Sequence, residues 1–251
     1  MVSINPLPYL RRLELKRDEV PSFNHYPFHL PVLRTLHELD FHPKVTYLIG
    51  ENGMGKSTLL EAIAIAFGFN PEGGTLNFNF STYDSHSKLD AFIKLIKGVY
   101  KPRDGFFLRA ETFYNMATNI EEMDREGFGP KVIDSFGGTS LHEQSHGESF
   151  FAAIANRFLG NGLYILDEPE AALSPIRQLS ILTRMNELIK QDSQFIIATH
   201  SPIIMAYPNA KILELSEEGV KQVELEETNH YRIMKQFFED KDRLFYHLFK
   251  D

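Results

Sequence analysis

The stretch VTYLIGENGMGKSTLLEAIAIAFG, residues 45–68, decides how the rest of this chain is read. Val45 to Ile49 is a short, apolar, β-prone run ending at Gly50, which predicts a buried strand. A helix is expected within GKSTLLEAIAIAFG, stopping near Gly68, with Asn70-Pro71 as the breaker. Between the two, Gly50 to Thr58 fits G-x-x-x-x-G-K-[ST] at every defined position, in the strand-then-helix setting that this pattern needs. The residue types follow from the chemistry. Glycines let the backbone take turns that a Cβ forbids, so successive N–H groups point at phosphate oxygens. The helix start adds its positive end. Lys56 supplies a mobile charge for the β- and γ-phosphates, and Ser57 offers a hydroxyl to Mg²⁺. Asn52, Gly53, Met54, Gly55 and Thr58 complete the nucleotide-binding loop.

Moving outward, residues 9–17 read as a strand, and Thr75 to Phe80 alternates with period two like a half-exposed one. Residues 88–100 fit either strand or helix. Phe106 to Ala110 is a strand candidate, and 112–126 reads as a helix. After a Gly- and Ser-rich segment, 127–147, Glu148 to Leu159 reads as a helix. Leu163 to Leu166 reads as a buried strand. Ser174-Pro175 looks like an N-cap with proline at the first helical position, opening a helix to about Gln191. Phe195 to Ala198 is another buried strand, and 211–226 a hairpin turning at Glu217-Glu218-Gly219. The tail, 230–250, is amphipathic through Tyr231, Met234, Phe238, Phe245, Leu248 and Phe249, and core packing is the plainer expectation for that stripe. Short apolar strands separated by helices predict an α/β fold with a mostly parallel sheet covered on both faces.

Leu163 to Asp167 is an apolar strand delivering two carboxylates, Asp167 and Glu168, to its C-terminal end, where open α/β sheets bind ligands. Asp167 is expected to hold Mg²⁺, and Glu168 to position and polarise the attacking water. His200 follows the strand 195–198, where its ring edge can register a γ-phosphate; taken alone, a histidine at a strand end reads more plainly as a hydrogen-bonded polar residue. Ser145, Gly147 and Glu148 sit at a predicted helix start; alone they read as a cap, and with a phosphate loop in the chain as a second anion site.

Composition sets the outer bounds. The chain has 251 residues, with 43% hydrophobic and 24% charged, enough for a sizeable core. Lys plus Arg is 26 against 34 for Asp plus Glu, a net charge of −8, which argues against a broadly basic, nucleic-acid-coating surface. Two local basic clusters, Arg11/Arg12/Lys16/Arg17 and Lys94/Lys97/Lys101/Arg103, are candidate nucleic-acid contacts, with a solvated face the plainer reading. The absence of cysteine excludes disulfides, thiolate catalysis and Cys-based metal sites. His25 with His29, and His37 with His42, read as solvated or hydrogen-bonded histidines. Met1 to Arg12 carries no apolar run of a secretory signal, and Ser193 to Ala210, the longest uncharged stretch, is broken by His200, Pro202 and Pro208. No membrane insertion and a cytoplasmic location are the expectations.

Phosphate loop, small-residue helix cap, D-E-P strand end and T-H-S strand end, in that order, resemble the ATP-binding-cassette superfamily over roughly residues 10–225. On that resemblance the Walker A loop is Gly50–Thr58, and the signature motif is Gln144 to Glu148. Walker B ends at Asp167, the D-loop is Ala171 to Ser174, and His200 is the switch histidine. His146 stands where the signature has its first glycine, and Ser174 where the D-loop has an aspartate. Glu111 occupies the Q-loop place, as a candidate for the Mg²⁺ shell. Tyr9 and Tyr26 are the candidate adenine-stacking residues. The E-N-G-x-G-K-S-T loop, the run Phe107 to Glu111 and D-E-P-E instead of D-E-P-T are similar to the soluble RecF-like, SMC-like and overcoming-lysogenization-like branch, often grouped under the AAA name. Only residues 59–144 separate Walker A from the signature's Ser145, so a compact head without a coiled coil is implied.

The resemblance implies a P-loop NTPase fold with an antiparallel β portion and a small helical subdomain carrying the signature. It implies one domain: 1–69 and 160–228 as nucleotide-binding core, about 70–159 as inserted lobe, and 229–251 as helical tail. It further implies an Mg²⁺-dependent ATPase in which two heads sandwich two nucleotides. Glu168, His200 and Lys56 then do the chemistry, with Ser57, Asp167 and Glu111 at the metal. Ser145, Gly147 and Glu148 act in trans. A homodimer on ATP, driving a separate effector in DNA maintenance or phage defence, is the expectation. The nucleotide-binding subunit of a membrane transporter is the alternative.

Overall fold

A computed structural model describes residues 8–76, 87–126, 129 and 131–250. The strands are β1 (Leu10–Leu15), β2 (Glu38–Asp40), β3 (Val45–Ile49), β4 (Gly74–Thr75), β5 (Ile93–Lys97), β6 (Asp104–Arg109), β7 (Gly162–Asp167), β8 (Gln194–Ala198), β9 (Lys211–Ser216) and β10 (Gly219–Val223). The α-helices are α1 (Pro31–Thr35), α2 (Lys56–Phe67), α3 (Phe113–Glu126), α4 (His146–Ala152), α5 (Pro175–Lys190), α6 (Pro202–Met205), α7 (Asn229–Glu239) and α8 (Lys241–Leu248).

Seven strands form one sheet in the order β10-β9-β3-β8-β7-β6-β4. The five from β9 to β6 run parallel, and β10 and β4 close the edges antiparallel. A second sheet, β2-β1-β5, is wholly antiparallel. Strands β3, β7 and β8 are buried along their whole length. Alternate residues leave opposite faces, so each run feeds two cores. Val45, Tyr47, Tyr164, Leu166, Phe195 and Ile197 pack under α3 to α6. Leu48, Leu163, Ile165, Ile196 and Ala198 pack under α2 and the small sheet. Each fully buried aliphatic or aromatic side chain is worth about 1.5–3 kcal/mol, which is why these strands carry almost no polar residue.

Several expectations meet a different outcome. Residues 88–100 resolve into a 3₁₀ turn, Lys88–Phe92, and then β5. The expected strand 75–80 is limited to its first residues in β4, and 77–80 lie outside the described residues. Within 70–159, β4 and β6 join the large sheet, the apolar Phe106–Leu108 run pairing with β7, and β5 joins the small one. The helical portion begins only at α3. The helix expected at 148–159 starts two residues earlier and ends as a π turn, Ala153–Arg157. Ser174 precedes α5, but its side chain makes no capping bond. The tail is two helices, and neither buries a residue. Phe238 is 74% exposed and Phe249 76%, so the aromatic stripe is not core packing. Its rings meet each other instead, Phe237 with Phe245 and Phe245 with Phe249. Among the described residues no helix is long and apolar enough to cross a membrane.

The basic clusters are largely spoken for. Arg12 pairs with Glu38 and Asp40, Lys16 with Glu19, and Lys94 with Glu14. Arg17 donates to the carbonyls of Leu33, Arg34 and Leu36.

Candidate functional site

The register of the large sheet assembles the site. Leu48 pairs with Ala198, Ala198 with Asp167, and Asp167 with Arg109. Four segments separated by up to 150 residues therefore end on one line, and the loops beyond β3, β6, β7 and β8 share one edge. This is the C-terminal edge of parallel strands, where α/β sheets bind ligands.

The phosphate loop lies between β3 and α2. Gly50 has φ +140° in a spot where a Cβ would lie 2.3 Å from the Leu215 carbonyl oxygen. Gly55 has φ +98° and precedes α2 without any side-chain cap, so the first-turn amides are left for an external acceptor. Lys56 is buried and donates to the loop's own carbonyls, Gly50 O at 2.9 Å and Glu51 O at 3.1 Å. Burial pulls its ammonium below the ordinary lysine value, while Glu168, Asp167 and Glu170 pull it back up. Asn52 and Gly53 are exposed, and Met54, Ser57 and Thr58 are half-buried.

Ser57 Oγ donates to Asp167 Oδ1 at 3.0 Å. Burial pushes Asp167 up to about 6, opposed by the Arg109 guanidinium and by Ser57. Arg109 spans the carboxylates: it lies 3.4 Å from Asp167, 3.7 Å from Glu111 and 2.5 Å from Glu61. Glu111 itself is 85% exposed at the side chain. Glu168 follows Asp167 in left-handed backbone, φ 49°, and its N–H donates to Ala198 O at 2.9 Å. A non-glycine residue in that conformation is strained, and such strain collects at functional sites.

His200 is held from two sides. Glu170 accepts from the His200 backbone N–H and from Thr199 Oγ1. Its carboxyl is raised by burial. The His200 ring has Nε2 3.6 Å from Glu168 Oε1 and Nδ1 3.0 Å from Nε2 of His230, on α7. Burial lowers the pKa of both rings.

The fit to a nucleotide and Mg²⁺ rests on two observations. Hard oxygen donors, Ser57 and Asp167, already meet, and Mg²⁺ is characteristically held by one or two carboxylates plus phosphate oxygens and water. Two buried nitrogens with no hydrogen-bond partner, Arg109 Nε and His200 Nε2, flank the acidic pair. The residues present fit the group. Ser57 and Asp167 would hold Mg²⁺, which when bound polarises the terminal phosphoryl group. The loop amides and Lys56 would bind the phosphates, and Glu168 would orient the water.

The α4 start is built differently. Ser145 is its N-cap, and Glu148 closes a capping box, accepting from Ser145 N at 3.1 Å and Ser145 Oγ at 2.8 Å. Arg177 lies 3.4 Å from Glu148. A Cβ on Gly147 would lie 2.8 Å from Ala172 O, so glycine lets α4 lie against the 169–172 turn. Tyr9 is buried, and its hydroxyl donates to Asp192 O at 2.8 Å, so it offers no face to a base. Tyr26 is 61% exposed and leans on His29.

Arg109, Glu61, Glu170 and His230 were not read from the sequence. Glu170 had a signal, the fourth letter of D-E-P-E; Arg109 lay inside the quoted run 107–111. His230 had none, lying in a helix read only for its apolar stripe.

A family model described as an AAA domain matches residues 28–244. The energy-coupling factor transporter ATP-binding protein of Methanospirillum hungatei is 27% identical over 210 residues, 77% of this chain and 51% of that protein. The chain thus spans about half of that relative. The xylose/arabinose import ATP-binding protein of Sulfolobus acidocaldarius is 27% identical over 205 residues, 74% of this chain and 79% of that one. The SMC head domain from Thermotoga maritima superposes with a TM-score of 0.46 at 16% identity, over 86% of this chain and 100% of that one.

Proposed function

This chain belongs to the AAA domain family, as an ATPase of the ATP-binding-cassette superfamily, and from that premise we propose that it works as an ATP-gated, head-to-tail homodimer in the cytoplasm, driving a separate partner protein. The observation that carries the proposal is the division of parts. Lys56, Ser57, Asp167, Glu168 and His200 share one sheet edge, whereas the start of α4, with Ser145 and Gly147, packs against α5 and the 169–172 turn. A second copy would supply Ser145 and Gly147 to the γ-phosphate held by the first. Mg²⁺-ATP then closes the pair, and hydrolysis, with Glu168 positioning the water, reopens it. The domain reading that accompanies this is one domain: 1–69 and 160–228 as nucleotide-binding core, about 70–159 as an insert carrying the signature, and 229–251 as helical tail.

A soluble effector, in DNA maintenance or phage defence, is the client we favour, on the D-E-P-E strand end and the departures at His146 and Ser174. A transporter's ATP-binding subunit is the second reading, favoured by the names of the curated relatives.

The test is sedimentation of Glu168→Gln with Mg²⁺-ATP. The variant keeps the loop and Asp167 and is expected to lose kcat by roughly 10²–10⁴-fold while accumulating as a dimer. A monomer for both wild type and variant overturns the sandwich. Material retained by the ATP-locked variant and not by Lys56→Ala then separates the clients: a permease supports the transporter reading, and a nuclease or nucleic acid the soluble one.

A further inference from the structure

The His200–His230 contact has a direction. Two neutral imidazoles 3.0 Å apart need one donor and one acceptor. If His230 Nε2–H donates, His200 Nδ1 accepts and the His200 proton sits on Nε2. That nitrogen faces Glu168 Oε1 at 3.6 Å, where a proton is attracted and a lone pair is repelled. Either direction leaves one N–H and one lone pair without a hydrogen-bond partner, at His200 Nε2 and His230 Nδ1, both buried. What separates the two is the carboxylate beside His200 Nε2, which draws the proton to that nitrogen.

The ring that donates is held on a rigid element. Thr228 is fully buried, and its Oγ1 caps α7 by accepting from Tyr231 N at 3.2 Å. His230 therefore sits in the capped first turn, whose positive end favours a neutral imidazole. Glu170 grips the backbone of His200 and Thr199, so the strand end is fixed independently. What remains free is the His200 ring itself, and among the described residues it is His230, on α7, that reaches its Nδ1.

We propose that His230 is a positioning residue for ATP hydrolysis: it holds His200 in the tautomer whose Nε2–H points toward Glu168 and the terminal phosphate. The tail helix is thereby wired to the reacting edge of the sheet through one hydrogen bond. The proposal rests on the reading of this edge as the hydrolytic site.

The test uses the full chain and three variants. His230→Ala removes the donor, His230→Phe keeps a ring without it, and His230→Gln places an amide N–H near the same point. Long-range ¹⁵N–¹H correlation spectra of the His200 ring report its tautomer without turnover. We expect Nε2-protonated His200 in wild type and His230→Gln, and loss of that preference in the other two. With Mg²⁺-ATP, kcat is expected to fall roughly ten- to a hundredfold in His230→Ala and His230→Phe, with KM within about twofold. His230→Gln is expected to recover to within about threefold of wild type. Nδ1-protonated His200 in wild type overturns the proposal, as does equal impairment of Gln and Phe variants. If His230→Ala fails to fold, the Gln and Phe pair decides. If wild type hydrolyses no ATP, the hydrolytic reading fails, while the ring spectrum still decides the tautomer.

Discussion

Two helix starts in this molecule combine glycine with a hydroxyl, and they are built to opposite ends. At α2, Gly55 sits in left-handed backbone, no side chain caps the helix, and no acidic residue lies in the first turn. At α4, Ser145 and Glu148 satisfy each other in a reciprocal box. An N-terminus without its own acceptor is poised for an external anion; one that carries a carboxylate must first move it. Hydroxyl plus glycine is therefore not enough to identify an anion site. The position three residues into the helix decides whether the site is open. For the head-to-tail reading, Ser145 has to exchange Glu148 for a phosphate of the other copy, and a resident carboxylate resists that exchange.

The contrast can be broken at its open end first. Lys56→Ala removes the buried ammonium that the loop holds over its own carbonyls, and Mg²⁺-ATP affinity is expected to fall by roughly a hundredfold or more in calorimetry. Unchanged affinity would mean that α2 is not the phosphate site. At the closed end, Glu148→Gln keeps the box acceptor but removes the charge that repels phosphate. The ATP-dependent dimer seen in sedimentation is expected to strengthen about threefold to tenfold, and to do so less at high salt. A weaker dimer would show that Glu148 serves the interface as a carboxylate. Ser145→Ala removes the cap alone and is expected to cost about 0.5–1 kcal/mol, a fall in Tm of about 1–3 °C. That gap has a pH signature. Ser145 holds the Glu148 carboxyl below its ordinary 4.5, so the part of the gap carried by the carboxylate is present above 4.5 and is lost as pH falls through the lowered value. The two melting curves are expected to lie closer in acid than at pH 7 without merging, because the bond from Glu148 N–H to Ser145 Oγ does not titrate.

The legibility of the molecule follows the same divide between local and distant causes. Val45–Ile49, the strand at 162–167 and the strand at 194–198 were readable because a fully buried strand must be apolar along its length. The phosphate loop was readable because its glycines and lysine act through their own backbone. Asp167 and Glu168 were readable as a carboxylate pair at a strand end. Arg109 and Glu61 were not, because their partners come from other elements: Glu61 on α2 meets Arg109 at the end of β6. His230 was hidden within an amphipathic pattern that reports an apolar face and not what covers it. The same pattern suggested core packing for Phe238 and Phe249, which are exposed. Tyr9 was proposed for stacking from its type alone, and burial against Asp192 removed it.

By itself the sequence determined a phosphate loop between a buried strand and a helix, an acidic strand end, a histidine strand end and an α/β layering. Each of these is written in consecutive residues and enforced by backbone chemistry or burial. The tertiary structure alone decided that β8 enters between β3 and β7. That order aligns Leu48, Ala198, Asp167 and Arg109, gives Ser57 its carboxylate and brings His230 to His200. Strand order and register arise from pairing across the sheet and from the fit of two cores, and neither is encoded in any single stretch.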